Sequence, residues 1–215
     1  MFPVVLNLRG KHVVVFGGGT VAERRIAKFV KSGAKVKAVS EDFTKALKKM
    51  SYEKKELELV QIRLDRNNIR EFLEDGDLVL VATNNKDLNN AIEKESKALG
   101  KWVNRADGLA DFSIPAILEL GSATIAISTM GKSPGVAKLI KGRVKRAFTE
   151  DDILQIELQE FARERLKRYV PKQNERKRIL REIMSSPELL YLLNKGEIEK
   201  AKREVREMCD AYRKH

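Results

Sequence analysis

Three groups of residues in this chain are of a type and spacing that can do chemistry. The first is Gly17-Gly18-Gly19-Thr20-Val21-Ala22, which fits the pattern G-x-G-x-x-A. Gly17 permits a tight turn, Gly19 lets the backbone approach a pyrophosphate, and Ala22 lets a helix pack close to a sheet. The free amides and positive dipole end of a helix starting there would hold phosphate oxygens. The second group is Ser40-Glu41-Asp42, placed where a dinucleotide-binding fold sets a carboxylate on the ribose hydroxyls. Glu41 is the first choice and Asp42 the second. Either would repel a 2′-phosphate and so favour NAD over NADP, although Asp42 also fits the start of the next helix. The third group is polar: Thr83-Asn84-Asn85 and Asp107. Thr83 and Asn84 suit contact with the nicotinamide side, and the same triplet suits capping a helix. Asp107, just before Gly108, suits either a proton acceptor or a turn.

These groups need elements that bring them to one edge. Val13 to Phe16 is a short apolar run without alternation, as in a strand buried on both faces. After the glycines, Ala22, Ile26, Phe29 and Val30 recur at helical spacing, and Ser32-Gly33 ends the helix. Further strands are expected at 35–39, 57–62 and 77–82 and from Trp102, with helices at 42–50, 67–74 and 86–99. Alternation of this kind implies a parallel sheet with right-handed crossovers, a Rossmann-like α/β domain over residues 1–112. Ligands of such sheets bind at the carboxyl ends of the strands, where all three groups fall.

Beyond that domain, residues 113–149 read as a small α+β segment. A strand is expected at 123–128, then a helix from Pro134 to Phe148 with an apolar stripe of Val136, Ile140, Val144 and Ala147. Residues 150–215 read as a helical domain interrupted at Pro171 and Pro187.

The 215-residue chain has 43 basic and 31 acidic residues, a formal charge of +12. That balance suggests an anionic partner without choosing one. The excess is most one-sided in residues 113–150, with 6 basic and 2 acidic side chains. Lys132, Lys138, Lys141, Arg143, Lys145 and Arg146 enclose no acid, and they read either as a field for an acidic substrate or as a solvated face. Ser128, Thr129 and Ser133, with Lys132 and Lys138, are candidate contacts for substrate carboxylates. His12, His215 and Cys209 are the whole His/Cys inventory, too little for a permanent metal site. No apolar run has the length of a membrane span and no signal peptide is visible, which points to the cytoplasm. Nucleic acid is a weaker expectation, because no helix-turn-helix, aromatic RNA-binding motif or arginine-rich tail is present. An NAD-sensing regulatory module with a basic nucleic-acid surface is the reading from a different class.

Along residues 2–148 the chain resembles the N-terminal part of the siroheme synthases, the precorrin-2 dehydrogenase and sirohydrochlorin ferrochelatase family. The stretches that carry the resemblance are FPVVLNLRGKHVVVFGGGTVAERR, VATNNKDLN, VNRADG, FSIPA and IAISTMGKSPGVAKLIKGRV. The resemblance implies NAD-dependent oxidation of precorrin-2 to sirohydrochlorin, with a tetrapyrrole polycarboxylate as substrate and Asp107 at the family's essential aspartate. It also implies a homodimer built on the middle segment. In bifunctional members it implies transient Fe²⁺, inserted in the same cleft. Thr129 matches a serine that is phosphorylated in some members. Two departures stand out: Met130 precedes Gly131 where the family has two glycines, and Asn84-Asn85 replaces a pair of aspartates.

Overall fold

The computed structural model describes residues 2–214; His215 lies outside them. The described residues form two compact units, residues 2–114 with 130–132, and residues 115–129 with 133–214.

The first unit is a five-stranded sheet of β1 (His12–Phe16), β2 (Lys35–Ser40), β3 (Leu57–Gln61), β4 (Leu78–Val81) and β5 (Trp102–Arg105). All neighbours run parallel, in the order β3-β2-β1-β4-β5. The helices between them are α1 (Thr20–Lys31), α2 (Lys45–Glu53), α3 (Ile69–Leu73) and α4 (Lys86–Ala98). The unbroken Val13–Phe16 run makes sense in the centre, since alternate residues feed two different cores. Val13 and Val15 join Leu78, Leu80, Ile26, Phe29 and Leu47 on one side. Val14 and Phe16 join Val79, Val81, Ile69, Leu73 and Ile92 on the other. Because the strand order reverses between β1 and β4, a crevice opens at their carboxyl ends.

His12 starts β1, at the opposite end from that crevice. Its backbone amide donates to Asp77 Oδ2 at 2.9 Å and its ring Nδ1 lies 3.2 Å from the Asp75 carbonyl. That backbone hydrogen bond, more than Lys11 alongside, holds the Asp77 carboxyl below its usual range.

In the second unit, β6 (Ala116–Leu120) and β7 (Ala123–Ile127) form an antiparallel pair. They are followed by α5 (Pro134–Ala147), α6 (Glu150–Tyr169), α7 (Gln173–Ser185), α8 (Pro187–Asn194) and α9 (Ile198–Asp210), with a last 3₁₀ turn at Ala211–Lys214. The core of α6 to α9 includes Leu158, Leu166, Ile179, Ile183, Leu189, Val205 and Cys209. Burial pushes the Cys209 thiol up to about 11. A bidentate pair from Arg165 to Asp210, Nε to Oδ1 at 3.2 Å and Nη2 to Oδ2 at 2.7 Å, ties α6 to α9.

Four expectations need correction. The second helix starts at Lys45 and is capped by Thr44, whose hydroxyl accepts from the Leu47 amide at 3.2 Å, so Asp42 does not start it. Two elements read over in the sequence are present: β6, where Leu118 and Leu120 turn inward and Glu119 outward, and α8, which Pro187 opens rather than merely precedes. The stripe expected on α5 is not a buried face. Val136 is 46% exposed and Ala147 is exposed, Ile140 and Val144 are half-buried, and the buried residue of the helix is Ala137, off that stripe.

Gly121, in the β6–β7 turn, has φ +55°, and a Cβ there would come within 2.5 Å of Ile153 on α6. Gly121→Ala is therefore expected to cost about 1–3 kcal/mol of unfolding free energy, measurable by chemical denaturation.

Candidate active site

The cleft at the carboxyl ends of the strands has a volume of about 810 Å³. Gly17, Gly18, Gly19, Glu41, Asp42, Arg63, Thr83, Asn84 and Asn85 are among its lining residues. The glycine turn, the β2 carboxylates and the polar residues after β4 thus meet in one place, as their spacing predicts.

Each glycine has its own reason. A Cβ on Gly17, where φ is +127°, would lie 2.4 Å from the Ala82 carbonyl oxygen. One on Gly18 would lie 1.9 Å from the Asp42 carbonyl oxygen. These two are demanded by backbone packed against backbone. Gly19 differs: nothing lies within 4 Å of where its Cβ would be. Gly19 is the N-cap of α1 and no side chain caps that end. Thr20 and Val21 are exposed on the first turn, and Ala22 is buried against the sheet. Open space before uncapped helix amides is what a pyrophosphate requires, so the residues present fit a dinucleotide. Thr44 braces the turn, since its amide donates to the Gly18 carbonyl at 3.0 Å and its hydroxyl to Glu23 Oε2 at 2.6 Å.

After β4 the capping duty falls to Asn85, whose side chain accepts from the amides of Asp87 and Leu88, both at 3.1 Å. Asn84 is left exposed on the cleft. Thr83 begins a polar chain leading away from it. The Thr83 hydroxyl donates to Asn89 Oδ1 at 2.6 Å. Asn89 Nδ2 donates to the Thr83 carbonyl at 3.1 Å and to Asp107 Oδ2 at 3.2 Å.

Asp107 stands in the bend after β5, with its side chain 37% exposed. Arg105 grips it with two bonds, Nε to Oδ1 at 2.8 Å and Nη2 to Oδ2 at 2.7 Å. The other arm of the guanidinium donates to Glu93 Oε2 and Asn90 Oδ1, each at 2.7 Å. The Arg105 guanidinium beside it, with the Asn89 amide in support, holds the Asp107 carboxyl well below the usual carboxylate range against the opposing effect of desolvation. Arg105 is in turn held above its usual range, by Asp107 first and Glu93 second.

Sequence reading missed Asn89, Glu93, Arg105 and Arg63. Asn89 did carry a signal, an amide on the same helical face as Ile92 and Ser96, which calls for a buried partner. The other three are charged residues on polar stretches, and only the fold gives them partners.

In the second unit, the Thr129 hydroxyl donates to the Ser133 carbonyl at 3.1 Å and accepts from the Ser133 amide at 3.2 Å. Ser133 Oγ caps α5 by accepting from the Val136 amide at 3.3 Å. Ser128 lies just past β7, and Lys138 is exposed on α5. Lys132 and Lys138, with Lys141, Arg143, Lys145 and Arg146, make no ion pair among the described residues. Met130 has φ +51°, so this loop position takes the left-handed conformation without the glycine that suits it. Among the described residues, no group of three or more His, Cys, Asp or Glu is placed to hold a metal ion.

The contrast among the glycines is testable. Gly19→Ala is expected to melt like the parent while losing about tenfold or more in dinucleotide affinity. Gly18→Ala is expected to lower the melting temperature as well, since the Asp42 backbone must move.

Comparison with known proteins bears on the whole chain. A family model described as "Putative NAD(P)-binding" matches residues 4–116. A "Putative precorrin-2 dehydrogenase" of Methanocaldococcus jannaschii is 35% identical over 207 residues, covering 92% of this chain and 98% of that protein. The precorrin-2 dehydrogenase of Methanosarcina barkeri is 33% identical over 187 residues, covering 86% of this chain and 83% of the other. A solved structure, "SirC, precorrin-2 dehydrogenase", superposes with a TM-score of 0.78 at 25% identity, covering 96% of this chain and 100% of that one. With the nicotinamide-cofactor domain matched and relatives of this identity spanned nearly end to end, the chain belongs to the siroheme synthase N-terminal family, that of the precorrin-2 dehydrogenases.

Proposed function

We propose that this protein oxidises precorrin-2 to sirohydrochlorin with NAD as the acceptor. The observation that carries the reading is a dinucleotide cradle joined to a held carboxylate, Asp107, through Thr83 and Asn89. Family membership supports the substrate, and it leaves the regulatory-module reading with no observation in its favour. Oxidation of this kind removes a hydride and a proton. The nicotinamide, when bound, supplies the hydride acceptor. Glu41 and Asp42 would take the ribose hydroxyls, the amides of Gly19 to Ala22 the pyrophosphate, and Thr83 and Asn84 the nicotinamide side.

Asp107 is assigned the proton. Paired to Arg105, it stays an anion through the neutral range and is always ready to accept. The same pairing makes it a weak base, which suits an acceptor that passes its proton on to water. Asn89 fixes one of its oxygens from behind and Arg105 both from the side, so Arg105 and Asn89 are positioning residues.

The substrate is a polycarboxylate. Lys132 and Lys138 with the unpaired lysines of α5, and the loop hydroxyls of Ser128, Thr129 and Ser133, are its proposed contacts. A second copy of the chain is proposed to cover the second unit, on the strength of exposed Val136 and Leu139 and a sheet of only two strands. The protein is proposed to work in the cytoplasm. No helix of the described residues is long and apolar enough to cross a membrane. Iron insertion is a separate question, in which Fe²⁺ enters as substrate. Sirohydrochlorin and Fe²⁺, given to the same preparation, report it by their absorption change.

Asp107→Asn is expected to lower kcat about 10²- to 10⁴-fold while dinucleotide binding stays at the parent level. Full activity in that variant would remove the assignment. Arg105→Gln is expected to act through pH. A depressed carboxyl keeps its charge as the pH falls, so the parent's acid limb lies below the ordinary carboxylate range. Without Arg105 the Asp107 pKa rises, and the acid limb of kcat/KM moves up, by roughly a unit or more. An unmoved limb would show that Arg105 is not what tunes Asp107.

A further inference from the structure

The cleft holds one charged side chain that the proposed reaction does not use. β2 and β3 end side by side, with Ser40 in register with Gln61. Glu41 follows the first and Arg63 lies two residues past the second, and Arg63 Nε comes within 3.3 Å of Glu41 Oε1. Both residues line the same cleft as the glycine turn. The loop that carries Arg63 is closed on itself. Asn68 Nδ2 donates to the Arg63 carbonyl at 2.9 Å, and Asp65 Oδ1 accepts the amides of Asn67 and Asn68 at 2.7 and 3.2 Å. The side chain itself is 90% exposed, and Glu41 is its ion-pair partner among the described residues.

Resting on the reading that the cleft takes a nicotinamide dinucleotide with its adenosine ribose at Glu41, we propose that the Glu41–Arg63 pair decides between the cofactor's two forms. Glu41 both receives the ribose hydroxyls and engages Arg63. Remove the Glu41 charge, and Arg63 is released to hold a 2′-phosphate.

The charges support this. Glu41, Asp42 and Arg63 together carry one net negative charge beside the ribose, which repels a phosphate dianion. Neutralising Glu41 brings the sum to zero and leaves a guanidinium without its carboxylate. Such a group presents several donors in a fork that matches phosphate geometry. Its braced backbone keeps it at the cleft in either state. An ordinary NAD-selecting carboxylate accepts from the ribose hydroxyls and repels a 2′-phosphate; here its loss also unmasks an attractive partner from the loop after the neighbouring strand.

The test is calorimetric titration of the whole chain with ADP-ribose and with its 2′-phosphate ester, which needs no turnover. The parent is expected to bind ADP-ribose the more tightly. Glu41→Gln is expected to shift the ratio of the two affinities by about tenfold or more toward the 2′-phosphate ester. Adding Arg63→Gln is expected to abolish that gain. Both side-chain changes are at exposed positions, and equal melting curves confirm intact folds. A ratio unchanged in Glu41→Gln, or a gain that survives loss of Arg63, overturns the proposal. So does an Arg63→Gln chain that loses both ligands equally, since that marks Arg63 as a platform for adenine. If the parent binds neither ligand, the dinucleotide reading falls with it; if it binds and the ratio ignores Arg63, this inference alone falls.

Discussion

The site depends on one close approach. At Gly17 and Gly18 the end of β1 lies against the backbone after β4 on one side and after β2 on the other, with no room for a single carbon on either residue. Two hydrogen bonds hold the approach, from the Gly17 amide to the Val39 carbonyl at 2.9 Å and from the Ala82 amide to the Phe16 carbonyl at 2.8 Å. Three chain segments distant in sequence thereby converge within a few ångströms. Much of what the cleft presents is hung from them: the α1 amides on β1, Glu41 and Asp42 on β2, and Thr83 with Asn84 on β4. The alternating burial of Val13 to Phe16 secures the arrangement from below, since each of the two cores claims every second residue of the central strand.

From this frame the chemistry is passed along by side chains rather than backbone. Thr83, Asn89, Asp107, Arg105 and Glu93 form one chain of hydrogen bonds, reaching from the cleft to the face of α4. Buried Asn89 is its joint. It accepts from Thr83 and donates to both Thr83 and Asp107, so its amide orientation is fixed by its partners. A carboxylate gripped at both oxygens gives up basicity and gains a defined position. That exchange suits the proton-accepting role proposed for Asp107, in which a defined position counts for more than proton affinity.

Much of this was legible in the residues. The glycine turn, the β2 carboxylates, Thr83, Asn84 and Asp107 are written as short local patterns, and a parallel α/β sheet brings such patterns to one edge wherever they follow a strand. What was not legible arises between segments. Arg105 and Glu93 look like ordinary surface charges until β5 is laid beside β4 and α4 packs near it. Arg63 sits in a polar loop whose significance comes from the register of β3 on β2. The α5 stripe failed for a related reason: helical spacing shows that a face is apolar, not that this chain covers it. Capping went to Thr44 rather than Asp42 because the Gly18 carbonyl holds the Thr44 amide and delays the helix.

The central claim is that a carboxylate fixed beside a dinucleotide cradle serves the oxidation of precorrin-2. The most direct measurement is an anaerobic incubation of the purified chain with precorrin-2 and NAD, following NADH and the tetrapyrrole spectrum together. NADH and sirohydrochlorin are expected to appear in equal amounts, at a rate that depends on enzyme concentration. Binding of NAD without any NADH formed from precorrin-2 would contradict it.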